Sequence, residues 1–174
     1  MTKTKKKSNG NSFLGTLAAL IILCVVLTIV SDKFLTYNNL MSVLKQTTFT
    51  ALLSTGMLLC LITAGIDLSV GANATFCACI CGMLVKGGMT NSLVLIVIAI
   101  VAGTLIGLIN GLLLTRLHLP HPFVSTLGMK NFLWGASLLV VSSQMVSGFP
   151  DGVMALGSAT IGGFPVSFIV VVVI

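Results

Sequence analysis

Residues 47–85 read TTFTALLSTGMLLCLITAGIDLSVGANATFCACICGMLV, two apolar runs that meet at one charged residue, Asp67. The first run extends from Thr47 to Ile66 and the second from Leu68 to Val85. A hydrocarbon layer about 30 Å thick is crossed by a helix of roughly 20 apolar residues. Both runs therefore predict membrane-spanning helices, which a turn at the aspartate connects.

Long apolar runs also lie on either side of this stretch. Uncharged segments of similar length are Phe13–Val30 and Ser92–Thr115. A further span is expected after Arg116 in one of two registers, Phe123–Val141 or Asn131–Phe149. The periodicity does not choose between them, because both segments are long enough and both carry polar residues.

Shorter segments complete the pattern. Leu117–Met129 contains two prolines and is too short to span, so it is a candidate re-entrant segment. Gly148–Pro165 is glycine-rich and is expected to form a loop with one short helix at the membrane surface. A new apolar segment begins at Val166 and stops after too few residues to cross. The sequence thus predicts an all-α polytopic transmembrane helical bundle, with about five spans plus an incomplete sixth.

The composition supports a lipid-embedded chain. Of its 174 residues 56% are hydrophobic and 7% are charged, whereas soluble domains carry about 25% charged residues. The only acids are Asp32, Asp67 and Asp151. A soluble domain, an acidic binding protein, a coiled coil and a disordered tail all need more polar residues than this.

The net charge of +6 does not indicate nucleic-acid binding, because the basic residues cluster in one tail. Four of the nine are Lys3, Lys5, Lys6 and Lys7, directly before the first apolar run. Basic residues beside a span mark its cytoplasmic side. We therefore expect residues 1–12 to be a basic cytoplasmic tail and residues 13–174 to be one transmembrane domain. Alternate crossings then place Asp67 and Arg116 on the cytoplasmic side and Lys86 outside.

Two polar residues in apolar surroundings are candidates for function. Asp67 must sit at a turn, in an aqueous cavity or beside a partner, because an ionised carboxylate in lipid costs several kcal/mol. It is expected to cap the following helix by accepting from the N–H of Ser69 or Val70; lining a transport path and contacting a partner subunit are the alternatives. Asn110 is expected to hydrogen-bond to a neighbouring helix or to line a polar path.

Small residues recur every three or four positions in two of the predicted helices. This spacing lets membrane helices approach closely, so it predicts two packing seams. A larger side chain at Gly107 is expected to push the facing helix away. The candidate packing residues are Gly71, Ala74, Ala78 and Gly82 in the first helix and Gly103, Gly107 and Gly111 in the second.

No arrangement of residues points to catalysis, a cofactor or a metal. Cys77, Cys79 and Cys81 alternate without the paired spacing of a zinc site. His118 and His121 are separated by a proline and have no third ligand nearby. No phosphate-cradling loop, metalloprotease motif or Ser–His–acid set is present. We therefore predict a protein that is not an enzyme.

Three motifs occur in a specific order: GIDLSVG at 65–71, GLINGLLLTRLHLPHPFVSTLGM at 107–129 and GFPDGVMALGSATIGGFPVSF at 148–168. In this order they resemble the permease subunit of bacterial sugar ABC importers of the ribose/galactoside/xylose class. The resemblance runs from about Phe34 to the end of the chain. By resemblance, Asp67, Ser69 and Gly71 match the family's IDLSVG, Asn110 and Gly111 its NG, and Thr126 and Gly128 its TLG.

The resemblance implies a multi-pass subunit of the bacterial cytoplasmic (inner) membrane that encloses part of a path for a monosaccharide or similar polyol. Its implied partners are a second permease copy, cytoplasmic ATPase subunits that hydrolyse ATP, a periplasmic or lipid-anchored sugar-binding protein, and membrane lipid, with no nucleic acid. The candidate path or turn residues are Asp67, Ser69, Asn110 and Thr126.

The chain also departs from the family pattern. Lys130 stands where members are usually apolar, and Trp134 where they often carry arginine. Members are longer, so the chain is expected to be the N-terminal half of a permease, without the cytoplasmic segment that engages the ATPase. The alternative functions are a small structural membrane protein that assembles through its glycine faces and a non-functional permease fragment.

Overall fold

The computed structural model describes residues 10–62, 65–116, 122–161 and 164–173, and most of them are helical. A short antiparallel ladder pairs Thr160 with Pro165 and Ile161 with Phe164. The all-helical prediction is confirmed apart from this ladder, which it did not include. The elements are α1 Gly10–Val30, α2 Tyr37–Ile62, α3 Val70–Lys86, α4 Ser92–Arg116, α5 Pro122–Val140, α6 Asp151–Ser158, β1 Thr160–Ile161, β2 Phe164–Pro165 and α7 Val166–Val173.

The chain forms two compact units, Met1–Val43 and Leu44–Ile174. The first unit contains α1 and the start of α2. Apolar side chains cover α1 on all sides and are exposed, as in Ile22 and Ile29. A helix that is apolar all round is stable only inside a large core or in lipid.

Two of the described helices are long and apolar enough to cross a membrane. They are α1, over Phe13–Val30, and α4, over Ser92–Arg116, whereas α3 is apolar but shorter. In α2 the helix begins at Tyr37, ten residues before the predicted apolar run, and so includes Lys45. The described chain therefore contains fewer strongly apolar long helices than the five spans predicted.

The second unit is organised around α3, α4 and α5. At one end of this bundle, Cys81 Sγ of α3 donates to the carbonyl of Leu95, near the start of α4 (3.4 Å). At the other end, α4 returns to the beginning of α3, so these two helices are antiparallel. α5 runs parallel to α3, since Lys86 at the end of α3 donates to Gln144, just beyond α5 (2.8 Å). Leu95 of α4 and Leu133 of α5 are fully buried in this bundle.

The helix after Arg116 adopts the earlier of the two predicted registers. α5 covers Pro122–Val140 and includes Lys130, so the register Asn131–Phe149 is wrong. The helix ends because Ser142 and Ser143 take left-handed backbone conformations, with φ of 52° and 55°. The Ser143 N–H donates back to the carbonyl of Leu138 (2.9 Å), which is the bond of a Schellman motif.

Replacing Ser142 with glycine is expected to stabilise the protein. A side chain in the left-handed region costs roughly 1–2 kcal/mol, and glycine's greater freedom in the unfolded chain offsets part of the gain, which leaves about 0.5–1 kcal/mol. Thermal unfolding in detergent measures this. Ser147→Gly is the matched control, because Ser147 has no positive φ and should gain nothing. Equal shifts for both variants would contradict the capping role of Ser142.

The glycine-rich segment is built around one short helix, as predicted. α6 lies against α4, with Gly152 so close to Ser92 that an added Cβ would be 2.8 Å from the Ser92 Cβ. The segment is therefore packed on the bundle as well as forming a connection. α7 begins at Val166, where the new apolar segment was expected.

Candidate functional site

Five polar side chains meet at the end of the bundle where α3 and α5 begin and α4 approaches its last turns. We call this group the polar cluster, and its members are Asp67, Ser69, Asn110, Ser125 and Thr126. Ser69, Asn110 and Thr126 are buried, with exposures of 2%, 3% and 0%. The cluster thus joins three segments that are far apart in the sequence.

Asp67 fixes the turn that leads into α3. Its Oδ1 accepts from the backbone N–H of Ser69 (2.8 Å) and from the Ser69 hydroxyl (2.6 Å). The predicted bond from the Ser69 N–H is therefore present. The predicted position is wrong, however, because the N-cap of α3 is Ser69 itself, and its side chain makes no capping bond. Asp67 lies two residues earlier and stabilises an Asx turn, a conformation that aspartate favours.

Asn110 connects α4 to both other segments. Its Nδ2 donates to Asp67 Oδ1 (3.4 Å) and to the Ser69 hydroxyl (3.3 Å). Its Oδ1 accepts from the hydroxyl of Ser125 on α5 (3.2 Å). A buried amide needs partners for both its donor and its acceptor, and this arrangement supplies them. The expected hydrogen bond from Asn110 to a neighbouring helix is therefore present in the structure.

Thr126 ties α5 to the chain just before α3. Its hydroxyl lies 3.1 Å from the carbonyl of Ile66 and 3.2 Å from that of Pro122 in its own helix. A threonine hydroxyl in a helix commonly bonds to the carbonyl one turn earlier. Here the same hydroxyl also satisfies a carbonyl of the irregular 65–69 segment, which has no helical partner.

The buried polar atoms of the cluster all have hydrogen-bond partners within the described chain. Across the described residues, no buried side-chain nitrogen or oxygen lacks a hydrogen-bond partner. The bonds from Ser69 and Asn110 to Asp67 all end on Oδ1, and the Asp67 side chain is only partly buried. The arrangement therefore combines hydrogen bonds that connect three segments with a partly exposed carboxylate at the margin of the cluster, which suits hydrogen bonding to water or to a neutral polar solute.

All four residues that the sequence singled out for a path or turn belong to this cluster. The structure adds Ser125, which sequence reasoning missed. The sequence gives only a weak indication of Ser125. It lies on a different side of α5 from Thr126, and the sequence did not decide at which residue α5 begins. Only once Pro122 is known as the start of the helix does the helical repeat place Ser125 beside α4.

The small residues of the predicted packing seam on α3 have different neighbours in the structure. A Cβ on Gly82 would overlap Val146 and come within 3.4 Å of Phe149, so Gly82 packs against the connection after α5. Ala74 and Ala78 line a groove, and nothing in the described chain lies within 4 Å of a Cβ at Gly71. Packing against another helix along this whole face stays a prediction.

The predicted seam on α4 is occupied at one position in the described chain. A Cβ on Gly103 would lie 3.5 Å from Cys77 Sγ and 3.9 Å from Asn73 Oδ1. Gly107 and Gly111 have no described atom within 4 Å of such a Cβ. A larger residue at Gly107 therefore displaces no described helix of this chain. That Gly107 and Gly111 pack against a helix of another chain stays a prediction.

An apolar groove of about 700 Å³ runs between α3, α4 and α6. Its walls include Cys77, Ile96 and Met154. Among the described residues that line it, Asn73 is the only one with a side-chain amide, and its Nδ2 donates to the Gly103 carbonyl (3.1 Å). The groove therefore offers little hydrogen bonding to a sugar and differs in character from the polar cluster.

His118 and His121 lie outside the described residues. Within the described ranges, no group of three or more His, Cys, Asp or Glu side chains is placed to hold a metal ion.

Comparison with known proteins places the chain among transport permeases. Residues 39–174 match the family model described as the permease component of branched-chain amino acid transport systems. The chain is 32% identical over 147 residues to the ribose import permease of Escherichia coli K12, which covers 84% of this chain and 45% of that protein. It is 30% identical over 169 residues to the D-allose permease of the same strain, covering 95% and 52%. It is 28% identical over 184 residues to that strain's galactose/methyl galactoside import permease, covering 92% and 54%.

The chain spans about half the length of the curated relatives it matches. No solved structure matches it. These relatives support the prediction of a transport permease and give no support to the alternative of a purely structural membrane protein. The family match covers most of the chain and includes every member of the polar cluster. The chain therefore belongs to this family of transport-system permease components.

Proposed function

We propose that this chain forms a membrane-spanning part of an ATP-binding-cassette importer for a monosaccharide or similar polyol. The observation that carries the proposal is the family match over residues 39–174. The family description names branched-chain amino acids, but the relatives described above are named for ribose, allose and galactose. A neutral, hydroxyl-rich solute also suits the hydroxyl and amide groups of the polar cluster better than an apolar amino acid does.

In this proposal the chain crosses the cytoplasmic membrane several times, with its lysine-rich N-terminus in the cytoplasm. Five spans correspond to α1–α5, and α7 begins a sixth. The polar cluster then lies toward the cytoplasmic side, where Arg116 ends α4, and Lys86 lies toward the outside. The lysines of the tail support this orientation, because basic residues near a span favour the cytoplasmic side.

The proposed partners are a second permease copy, cytoplasmic ATPase subunits and a sugar-binding protein outside the membrane. ATP hydrolysis belongs to the ATPase subunits, so this chain needs no catalytic residue. The polar cluster would hold the starts of α3 and α5 against α4, and the edge of Asp67 would contribute to the polar path. If these hydrogen bonds form in one conformation and break in another, the ATPase subunits can shift the equilibrium between the two conformations.

A segment exchange tests the proposal. Residues 39–174 would replace the matching segment of the Escherichia coli ribose permease, in a strain that retains the other importer subunits. ATP-dependent uptake of labelled ribose, allose and galactose is measured. We expect uptake of at least one of these sugars.

The control is the same exchange carrying Asp67→Ala, which removes the acceptor of the turn before α3. It is expected to insert at a similar level but to transport poorly. An exchange protein that reaches the membrane in normal amount and imports none of the three sugars would contradict the proposed function.

A further inference from the structure

One side of α5 combines a cation with the only tryptophan of the sequence. Lys130 and Trp134 are one helical turn apart and therefore share a face. Both are exposed, Trp134 to 60%. Thr75 of α3 lies beside this face, since it lines a small apolar cavity of about 160 Å³ together with Trp134. We call Lys130, Trp134 and Thr75 the α5 outer face.

Lipid is a poor environment for this face. Lys130 lies eight residues into α5, about 12 Å from its start, so it is far from either end of the helix. A charged side chain at such a depth costs several kcal/mol unless it is paired or faces water, and reaching the interface is easiest near helix ends. Lys130 forms no ion pair within the described part of the chain, where the acids are Asp32, Asp67 and Asp151.

The hydropathy of α5 agrees with this argument. α5 has 19 residues, as long as a span, yet it is not among the described helices that are apolar enough to cross a membrane alone. α4 meets that criterion along its whole length. A helix with this composition is stable in a membrane when one of its sides faces water and another faces the bundle. The buried residues of α5 are Thr126, Leu133 and Ser137. They adjoin the α5 outer face, because Lys130 is one turn from Thr126 and Trp134 is one turn from Ser137.

We propose that the α5 outer face lines the water-filled part of the sugar path, with Trp134 as the aromatic surface on which a sugar ring stacks. Binding sites for small molecules combine an aromatic wall with a few polar groups that fix orientation. The Lys130 ammonium supplies three donors for sugar hydroxyls. This assignment rests on the proposed function, and it names two residues that would contact the substrate.

Because the chain has a single tryptophan, its fluorescence reports on Trp134 alone. The full chain would be reconstituted into phosphatidylcholine vesicles and quenched either with acrylamide in the water or with brominated acyl chains in the lipid. The matched control is Trp134→Phe combined with Leu139→Trp. Leu139 is 82% exposed and lies five residues later, about 140° around the helix.

We expect acrylamide to quench Trp134 about threefold more strongly than the relocated tryptophan, and brominated lipid to show the opposite order. Iodide should quench Trp134 more than neutral acrylamide does, and Lys130→Met should abolish that preference, because a nearby cation concentrates anions. Strong quenching of Trp134 by brominated lipid would overturn the proposal. Protection from both quenchers would also overturn it, since that outcome indicates burial against a second copy.

The sugar contact is tested in the same samples. Ribose, allose or galactose at high concentration should lower acrylamide quenching of Trp134 and leave the relocated tryptophan unchanged, with potassium glutamate at equal osmolarity as the control. Water access without protection by any of the three sugars would overturn the stacking role. These outcomes are independent of the uptake assay, so a failure of this assignment can be distinguished from a failure of the proposed function.

Discussion

Replacing Asn110 with leucine is expected to lower the free energy of unfolding by about 2 kcal/mol, because buried polar groups lose their partners. The Ser125 hydroxyl loses its acceptor on Asn110, and Asp67 and Ser69 lose the Nδ2 donor. Leucine has the same number and branching of side-chain heavy atoms as asparagine but cannot form hydrogen bonds, so this substitution tests the hydrogen bonds of Asn110. Hydrogen bonds between membrane helices are each worth about 0.6–2 kcal/mol, and three are removed together.

Unfolding in detergent, by heat or by titration with dodecyl sulfate, measures this effect. Asn131→Leu is the matched control, because Asn131 is exposed on α5 and surface changes usually stay within about 0.5 kcal/mol. A Ser125→Ala variant should fall between the two, since it removes a single bond of the cluster. Equal stability of the Asn110 and Asn131 variants would show that the polar cluster does not hold α3, α4 and α5 together.

Replacing Gly82 with alanine is expected to destabilise the protein by about 1–3 kcal/mol through overpacking. The new Cβ would overlap a methyl group of Val146 and lie 3.1 Å from the Val146 Cβ. Valine is branched at Cβ, which restricts χ1. Rotation about χ1 also leaves the Val146 Cβ in place, so this side chain cannot relieve the contact by changing rotamer. The connection 146–149 must then move away from α3 as a whole.

Gly107→Ala is the matched control for this substitution. It also lies in a helix, but no described atom is within 4 Å of the added Cβ. In the isolated chain it should be neutral, or stabilising by up to about 1 kcal/mol, because alanine is the better helix former. If Gly107→Ala destabilised the protein as much as Gly82→Ala, a second chain or a segment outside the described residues would have to pack on α4. A neutral Gly82→Ala would instead show that residues 146–149 do not rest on α3.

Several features of this protein follow from the sequence alone. The apolar runs predict helices, because in lipid only a helix or a closed barrel satisfies every backbone hydrogen bond. Asp67, Ser69, Asn110 and Thr126 are identifiable as candidates, since polar groups among apolar residues need a partner. The motifs that contain them also indicate the permease family, which the comparison then confirms over residues 39–174.

Other features required the tertiary structure. The hydropathy of the segment after Arg116 fits two registers nearly equally well and does not choose between them. The left-handed backbone at Ser142 and Ser143 ends α5 early enough to select one. A stripe of small residues specifies a face that can be packed closely, but not what covers it: Gly82 meets Val146, whereas Gly107 meets no described atom. The side chain that completes the polar cluster, Ser125, was likewise found only in the fold. The physical reason is that hydropathy describes whether a side chain is more stable in water or in an apolar environment. A hydrogen bond or a packing contact depends instead on which distant segment the fold brings within a few ångströms.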